Sequence, residues 1–424
     1  MKSSKEMPYH FAISGRIYLN YHAQQIVAVN DSIYRKVYNI LVAANEEKYR
    51  LKQYADVIPT YKDRIDFLNT LTSSATNIKN MYPYMYGELV DADAITNAIT
   101  NYKAGWNSFV KVPNTGKPTF HKKKYEQSYN TSTHYKNHQK GIKEGSIRFI
   151  NKKKIHLPII GDVRFKGSSK LINRIFDIEN SNSEIRITTV TISRDAVGRY
   201  FCTLLIASDE PLYKKKNIFN NIDTAVGIDV NLTNLCTTSD NEVFDNIKVR
   251  KNFKKKLAKK QHKASKRLHK AKTQNKDVYQ SKNYQKARKE VSLLQSKNAK
   301  HEDNYLHSIA KKIVNNHDYI FVEDLKIKNL LKNHKLAYAI SDVCWGKFFS
   351  ILEKEANKQS KVFIKVPPKN TTQTCSICKH VCVGDEHIKL GIEKWICPNC
   401  GELRIRDHNS AENIKQRGLM LLSA

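Results

Sequence analysis

The chain has 424 residues, 40% of them hydrophobic and 27% charged, with a formal net charge of +33. This length predicts roughly two to four domains, and the charge excess predicts a polyanionic partner whose phosphates would neutralise it. No apolar run approaches the roughly 18 residues of a membrane-spanning helix, and the N-terminal MKSSKEMPYH has no hydrophobic signal region, so we exclude a membrane or secreted protein and expect a cytoplasmic location.

The first quarter of the chain predicts one strand followed by helices. Residues 8–19 have the pattern of a strand with a glycine break, and apolar residues then recur at helical spacing from Tyr21 to about Tyr49. Further helices are expected over about 59–75 and 78–110. We interpret residues 21–118 as a helical bundle with an exposed face.

The next hundred residues predict a small β-barrel. The segment 119–129 is basic, with aromatic residues on both sides of its three lysines, and Tyr125 and Tyr129 are candidates for stacking on bases. Five strand-like runs follow, separated by turn residues: SIRFI, KKIHLPII, DVRFKG, RITTVTISR and RYFCTLLIA. The strand near residue 10 could join them, so we assign residues 1–20 and 119–221 to a barrel that carries the helical block as an insertion.

A strongly basic segment follows the predicted barrel. Residues 251–300 contain 18 Lys and Arg against 2 Asp and Glu, a local net charge of 18 − 2 = +16. Two thin apolar stripes predict two long helices joined near 274–281. Mixed charges would serve solubility, so the one-sided excess favours contact with phosphates. The candidate nucleic-acid contacts in the chain are Lys254, Lys255, Lys259, Lys263, Arg267, Lys122, Lys123 and Arg406.

Three acidic residues stand at the ends of predicted elements. Asp229 ends the apolar run AVGID, Glu323 ends YIFVE, and Asp407 opens a predicted final helix over 409–422. Carboxylates on rigid strand ends can hold two Mg²⁺ ions about 3.5–4 Å apart, which is one route to phosphodiester hydrolysis. For each acid alone a capping role is the simpler interpretation, and spacing does not join the three.

Four cysteines have the spacing of a zinc ribbon, in two Cys-x-x-Cys pairs with 18 residues between them. They are Cys375, Cys378, Cys397 and Cys400. Four thiolates close a tetrahedron around Zn²⁺ and leave no open position, so we predict a structural, nucleic-acid-contacting site rather than a catalytic one. An iron site is the alternative to zinc. A ligand could also be replaced by His380, Cys382 or His387, but this would break the symmetry of the two Cys-x-x-Cys pairs.

Five motifs in the C-terminal half carry a resemblance to a known family. They are GIDVN (227–231), FVEDL (321–325), PPKNTTQTCSICKH (367–380), WICPNCG (395–401) and RDHNSAENI (406–414). In order and spacing they resemble TnpB, the transposon-encoded family of RNA-guided nucleases, and the related miniature type V CRISPR effectors. Weaker similarity extends into the predicted barrel.

The resemblance implies a multidomain α+β architecture. An RNase H-like (RuvC) nuclease domain over 222–374 and 401–424 would carry an inserted zinc ribbon at 375–400 that binds the target nucleic acid. The barrel before it would be the wedge-type domain, and residues 21–118 would be the recognition lobe.

The resemblance also implies the chemistry and the partners. Asp229, Glu323 and Asp407 match the catalytic carboxylates that hold two Mg²⁺ ions, and the four cysteines match the Zn²⁺ ligands. The implied partners are a guide RNA, the target double-stranded DNA and its displaced single strand, with one or two copies of the chain on one RNA. Association with the nucleoid would follow.

Two positions depart from the family pattern, and two other functions stay open. Ile405 stands where the family commonly has one more acid, and Lys379 stands where a glycine often follows the second cysteine. The alternatives are an RNA-guided DNA-binding repressor that does not cut and a DDE-type transposase. Retention of all three carboxylates argues against the first, and the four-cysteine insertion and the basic hairpin argue against the second.

Overall fold

The computed structural model describes residues 4–137, 139–181, 183–213, 224–333, 337–389 and 391–423. It divides into two compact units, Met1–Leu212 and Tyr213–Ala424. The domain boundary predicted at 221/222 falls outside the described residues, and the finer division into four domains remains a prediction.

Seven strands of the first unit form one antiparallel sheet in the order β2-β6-β7-β1-β5-β4-β3. The strand predicted near residue 10 lies inside this sheet, between β7 and β5. Pairing of β2 with β3, which would close a barrel, does not occur among the described residues. The strands are β1 (Tyr9–Tyr18), β2 (Gln127–Ser132), β3 (Arg148–Asn151), β4 (Lys154–Leu157), β5 (Gly161–Lys166), β6 (Ile185–Arg194) and β7 (Tyr200–Ser208).

The sequence pattern missed strand β2 and one helix of this unit. Tyr129 belongs to β2 and pairs with Ile192 of β6, so its ring points into the apolar core and is 1% exposed. The prediction that Tyr129 stacks on bases is therefore wrong. Helix α5 (Ser169–Asn180) packs its buried face, including Phe176, on the same core.

Four helices make up the helical block: α1 (Tyr21–Lys52), α2 (Pro59–Ser73), α3 (Ala75–Met81) and α4 (Ala92–Lys111). The single helix predicted over 78–110 is wrong. Its first part ends before Pro83, which begins a 3-10 turn, and the side chain of Asp91 caps a new helix by accepting a hydrogen bond from the Asp93 amide at 3.0 Å.

The second unit is built on a five-stranded mixed sheet in the order β10-β9-β8-β11-β12. The pairs β10–β9 and β9–β8 are antiparallel, and β8–β11 and β11–β12 are parallel. The strands are β8 (Ala225–Asp229), β9 (Asn234–Thr238), β10 (Val243–Asp245), β11 (Tyr319–Glu323) and β12 (Val362–Val366).

In the described part of the second unit, six helices accompany this sheet: α6 (Val249–Thr273), α7 (Lys282–Asn316), α8 (Ile327–Leu330), α9 (Ala337–Val343), α10 (Trp345–Lys358) and α11 (Arg406–Ser423). Alternate residues of the buried strands face opposite sides. Val226 and Val322 pack with residues of α7 and α10, whereas Ala225 and Phe321 pack with Ile414 of α11. The sheet is therefore covered on both faces.

The remaining elements confirm or adjust the sequence predictions. Helices α6 and α7 form the predicted basic hairpin. A small hairpin of β13 (Lys394–Ile396) and β14 (Leu403–Ile405) leads into α11, which begins three residues earlier than predicted and places Asp407 in its first turn. Among the described residues, no helix has the length and apolarity needed to cross a membrane.

Candidate metal centres and nucleic-acid surface

Asp229 and Glu323 lie at the carboxyl ends of two neighbouring parallel strands. Strands β8 and β11 pair in register with Ile228 opposite Val322, so the two acids that follow stand at the same level of the sheet. Both side chains are nearly buried, with 7% and 9% exposure. Because side chains alternate along a strand, both carboxylates point to the face that α11 covers.

Helix α11 brings the third acid to this edge of the sheet. Ser410 on α11 donates a hydrogen bond from Oγ to Asp229 Oδ1 at 3.0 Å. Asn231, just beyond β8, donates from Nδ2 to Asp407 Oδ2 at 2.8 Å. These two bonds tie the first turns of α11 to the end of β8, and so place Asp407 beside Asp229.

The electrostatics of the three acids favour a bound cation. Burial raises the pKa of Asp229 well above its usual range, and the charges of Glu323 and Asp407 raise it further. Burial also raises the pKa of Glu323 and of Asp407, and the charges of Arg417 and Arg406 respectively offset part of that rise. Within the described part of the chain, none of the three forms an ion pair with a lysine, arginine or histidine. Positive charge at this edge would relieve both the burial cost and the mutual repulsion.

The donor set of the three acids fits hard cations. Three carboxylates are hard oxygen ligands of the kind that Mg²⁺ prefers. Ligands of one Mg²⁺ lie about 2.1 Å from it, so their oxygens stand no more than about 4.2 Å apart. The groups of three or more donors that come within 4.8 Å of one another among the described residues do not include these acids. The three acids therefore do not all come within reach of one ion in this structure.

Sequence reasoning missed the residues that position these acids. Thr371 donates a hydrogen bond from Oγ1 to Glu323 Oε1. Asn409 accepts from the Ser376 amide at 2.8 Å, and Asn413 donates to the Thr374 carbonyl oxygen at 2.6 Å. The sequence signal that could have revealed these residues was the run of small polar residues in RDHNSAENI. A helix at the surface would leave such residues exposed to water, whereas this helix buries several of them. Helix α11 therefore contacts the carboxylate site and also the segment that leads into the cysteine pairs.

The four cysteines predicted to bind zinc come together with suitable spacing. The Sγ atoms of Cys375 and Cys400 are 3.8 Å apart, and those of Cys378 and Cys397 are 3.6 Å apart. A tetrahedron with Zn–S bonds of about 2.3 Å has edges of about 3.8 Å. Hydrogen bonds from the Asn399 side chain and the His380 amide lower the pKa of Cys378 to about 6, while desolvation and the hydrogen bonds with the other three thiols raise the pKa of Cys400 to about 12.

The other candidate ligands of the window stand apart from this tetrad. His380, Cys382 and Glu386 form a second group, in which His380 Nε2 lies 2.7 Å from Glu386 Oε2. Lys379, at the position of the family's glycine, adopts a positive φ of 64°. A glycine there would relieve backbone strain, since a left-handed conformation is costly for a residue with a Cβ.

We predict that replacing Cys397 with serine removes zinc from the purified chain. About one zinc per chain is expected for the wild type, measured by mass spectrometry of the metals, and well under half of that for the variant, because the small ribbon cannot close its site with three thiolates. Cys382→Ser is the matched control, since Cys382 is buried in the same cluster but lies outside the tetrad. Equal zinc loss in both variants would contradict the assignment.

The candidate nucleic-acid contacts differ in how freely they present their charge. Lys254, Lys255, Lys259 and Lys263 are exposed on α6, and Lys254 Nζ lies 5.2 Å from the centre of the Tyr338 ring. Arg267 is half-buried and donates to the Asn283 carbonyl oxygen at 3.0 Å, which joins the two helices of the hairpin. Lys122 and Lys123 are exposed before β2, and Arg406 is half-buried at the start of α11. Their role as contacts remains a prediction.

Two family models match the second unit. The model described as "Cas12f1-like, TNB domain" matches residues 345–414, which include the four cysteines and Asp407. The model described as "Probable transposase" matches residues 214–334, which include Asp229, the basic hairpin and Glu323. Both candidate metal centres therefore lie within matched segments.

Curated relatives and a solved structure extend this similarity. Two proteins carry the name "Putative RNA-guided DNA endonuclease". One, from Streptomyces pristinaespiralis, is 32% identical over 236 residues, 55% of this chain and 53% of that protein. The other, InsQ of Escherichia coli (strain K12), is 25% identical over 287 residues, 64% of this chain and 63% of that protein. The chain thus matches less than two thirds of the length of either relative.

The fold as a whole resembles a solved effector complex. The chain from the cryo-EM structure of the Cas12f1-sgRNA-target DNA complex matches with a TM-score of 0.52 at 13% identity, covering 96% of this chain and 98% of that one. At this identity the match speaks for the fold alone. The matched segments and the named relatives make this chain similar to TnpB-like proteins and to the miniature Cas12f1-type effectors.

Proposed function

We propose that this protein is an RNA-guided DNA endonuclease. It binds a guide RNA, recognises a short DNA motif that flanks its target, and cuts the target with a single RuvC-type site. The observation that carries the proposal is the meeting of Asp229, Glu323 and Asp407 at one edge of the sheet of the second unit. The names of the two curated relatives support the same activity.

The topology of the second unit supports an RNase H-like nuclease domain. Three antiparallel strands are followed by two parallel ones, and helices cover both faces. In this sheet the parallel strands β8 and β11 end side by side, and Asp229 and Glu323 are the last residues of these two strands. We accordingly assign the nuclease domain to 222–374 and 401–424 and the zinc ribbon to 375–400. The wedge-type domain would be 1–20 with 119–221, and the recognition lobe 21–118.

The side chains around the carboxylates hold them ready for metal. Asp229, Glu323 and Asp407 would hold two Mg²⁺ ions, which supply an activated water and charge stabilisation for phosphodiester hydrolysis. The Ser410 hydroxyl and the Asn231 amide each donate to one carboxylate oxygen and leave the other free for a cation. The Thr371 hydroxyl does the same for Glu323. These neutral donors fix the carboxylates without neutralising them, which preserves their affinity for metal.

The remaining surface suits long stretches of nucleic acid. Base pairing with the guide would read the target sequence, while the protein reads the flanking motif and the shape of the heteroduplex. The exposed lysines of α6 would contact phosphates of RNA or DNA, and the displaced single strand would enter the nuclease site. Whether one or two copies share a guide follows from the mass of the purified complex. Association with the nucleoid would follow from target binding.

The activity is tested with the chain purified from cells that carry its native locus. We expect a discrete RNA to copurify, and sequencing of that RNA defines the guide. With Mg²⁺ present, the complex should cut a plasmid that carries the matching target and leave a plasmid without the match intact. Absence of any discrete RNA would remove the guided functions and favour a transposase. Binding of the matched plasmid without cutting would favour the repressor.

A further inference from the structure

A cleft with an aromatic wall lies within the helical block of the first unit. It has a volume of about 620 Å³ and is formed by the second half of α1, by α4 and by the segment around Pro118. Tyr102, Trp106 and Phe109 follow one another along the same face of α4. The ring centres of Tyr102 and Trp106 are 6.5 Å apart with nearly parallel planes, and those of Trp106 and Phe109 are 5.5 Å apart.

The aromatic wall begins in the packed core of the helical block and becomes accessible toward its outer end. Tyr102 is 8% exposed and forms the base of the row, whereas Trp106 is half-buried and Phe109 is 39% exposed. Tyr49 of α1, which is 72% exposed, also lines the cleft. Exposed aromatic rings at helical spacing leave apolar area in contact with water, and a stacked ligand would cover it.

Positive charge surrounds this wall. The cleft is lined by one acidic residue, Glu46, and by four basic residues: Lys48, Arg50, Lys52 and Lys117. Lys117 pairs with Glu46 at 3.7 Å, whereas Arg50 and Lys52 have no ion-pair partner among the described residues. The cleft therefore has unneutralised cations beside its aromatic rings.

Two of these lysines are crowded in a way that an anion would relieve. Lys48 and Lys52 stand one turn apart on α1, where like charges repel. Partial burial lowers the pKa of Lys48, and the charge of Lys52 lowers it further. The ammonium of Lys48 donates to Asn69 Oδ1 at 3.2 Å, which leaves its charge uncompensated. A phosphate between the two lysines would compensate both.

We propose that this cleft binds an unpaired nucleotide of a single-stranded nucleic acid. The base would stack on the row of Trp106 and Phe109, and the adjoining phosphates would contact Lys48 and Lys52. An apolar ligand would not use the cations, and a bare polyanion would not use the aromatic wall. The proposal rests on the nucleic-acid binding of the proposed function. It assigns a site to a part of the chain outside the two matched family models, which cover 214–334 and 345–414.

The test compares oligonucleotides of about five nucleotides with abasic strands of the same length, in buffer without Mg²⁺, by fluorescence anisotropy. Trp106→Ala should weaken binding of the base-containing strand roughly 5- to 150-fold, the range expected for stacking of one base, and change binding of the abasic strand by less than about twofold. Lys52→Ala should weaken both strands alike and reduce the salt dependence of binding.

Three variants separate the cleft from general effects on folding. Trp106→Phe keeps an aromatic face and should retain most of the affinity. Phe109→Ala removes a more exposed ring and should reproduce part of the Trp106→Ala effect without disturbing the helix packing. Tyr21 lies at the start of α1, outside the cleft, and its ring is 76% exposed. The Tyr21→Ala variant should therefore bind as the wild type does. Circular dichroism confirms that each variant is folded.

Several outcomes would overturn the proposal. It fails if Trp106→Ala and Phe109→Ala bind the base-containing strand as the wild type does, or if the wild type binds abasic strands equally well. Equal affinity for adenosine monophosphate and for the strand would make this a mononucleotide site instead. Guided plasmid cutting is measured in parallel. If the strands with and without bases bind alike while cutting is intact, the proposed cleft is refuted and the proposed nuclease activity is not. If the protein prefers the strand with bases but does not cut, the proposed nuclease activity is refuted and the proposed cleft is not.

Discussion

Asp229→Asn is expected to abolish target cutting while making the metal-free chain more stable. The substitution keeps the shape of the side chain and an oxygen that can accept the Ser410 hydrogen bond. It removes the charge of a carboxylate that we propose binds Mg²⁺, and metal ions contribute several kcal/mol to stabilising the charge of the transition state. We therefore expect the rate of guided plasmid cutting to fall about 10³-fold or more, with binding of the guide and the target retained.

The gain in stability follows from the raised pKa of Asp229. Its ordinary value is 3.8, and burial together with the charges of Glu323 and Asp407 raises it in the folded chain. The folded state then holds the proton more tightly than the unfolded state, so stability is lost as the pH rises above about 4. Asparagine at this position does not release a proton, so the variant does not lose stability in this way as the pH rises. At pH 8 without Mg²⁺ we therefore expect its free energy of unfolding to be higher than that of the wild type.

Chemical denaturation with and without Mg²⁺ checks both parts of this prediction. Mg²⁺ should stabilise the wild type, because it binds the folded state, and should stabilise Asp229→Asn much less. Asp324→Asn is the matched control, since Asp324 follows Glu323 directly, pairs with Lys326 at the surface and should leave cutting unchanged. An Asp229→Asn variant that cuts at the wild-type rate would rule out this site.

Gly227→Ala is expected to lose both stability and cutting. A Cβ built on Gly227 would lie 2.0 Å from the Ala411 carbonyl oxygen and 2.5 Å from the Lys415 amide nitrogen, both in the backbone of α11. Backbone cannot yield as a flexible side chain can, so α11 must move away from β8. Forced overpacking of a buried contact costs typically about 1–3 kcal/mol, and a backbone clash this close should reach or exceed the upper part of that range.

The loss of cutting has a geometric cause. Helix α11 carries Asp407 and Ser410, and both are positioned by how closely the helix sits on β8. A displacement of about 1 Å at a catalytic centre can lower the rate about 10²-fold. Gly346→Ala in α10 is the matched control, because its added Cβ would meet Ile327 Cδ1 at an ordinary 3.4 Å. Unchanged unfolding and cutting in Gly227→Ala would contradict this account of how α11 is seated.

Much of this molecule could be predicted from local sequence signals. The basic hairpin follows from a one-sided charge run with apolar stripes, and the buried strands β8 and β11 follow from short apolar runs that each end in an acid. The helix predicted over 78–110 failed because Pro83 and the Asp91 cap interrupt a pattern that is otherwise apolar at helical spacing. Strand β2 was missed because its residues QSYNTS are mostly polar, and its strand state depends on pairing with β6.

By itself the sequence determined the grouping of the four cysteines, since two Cys-x-x-Cys pairs need only a short chain to come together. It also determined the family resemblance and the strongly basic character of the chain, which suits a polyanionic partner. Only the tertiary structure decided that Asp229, Glu323 and Asp407 share one edge, because their proximity depends on the parallel register of β8 with β11 and on the close seating of α11 at Gly227. The roles of Ser410, Asn231 and Thr371 were likewise decided there, since a hydrogen bond between residues more than 40 positions apart leaves no local pattern.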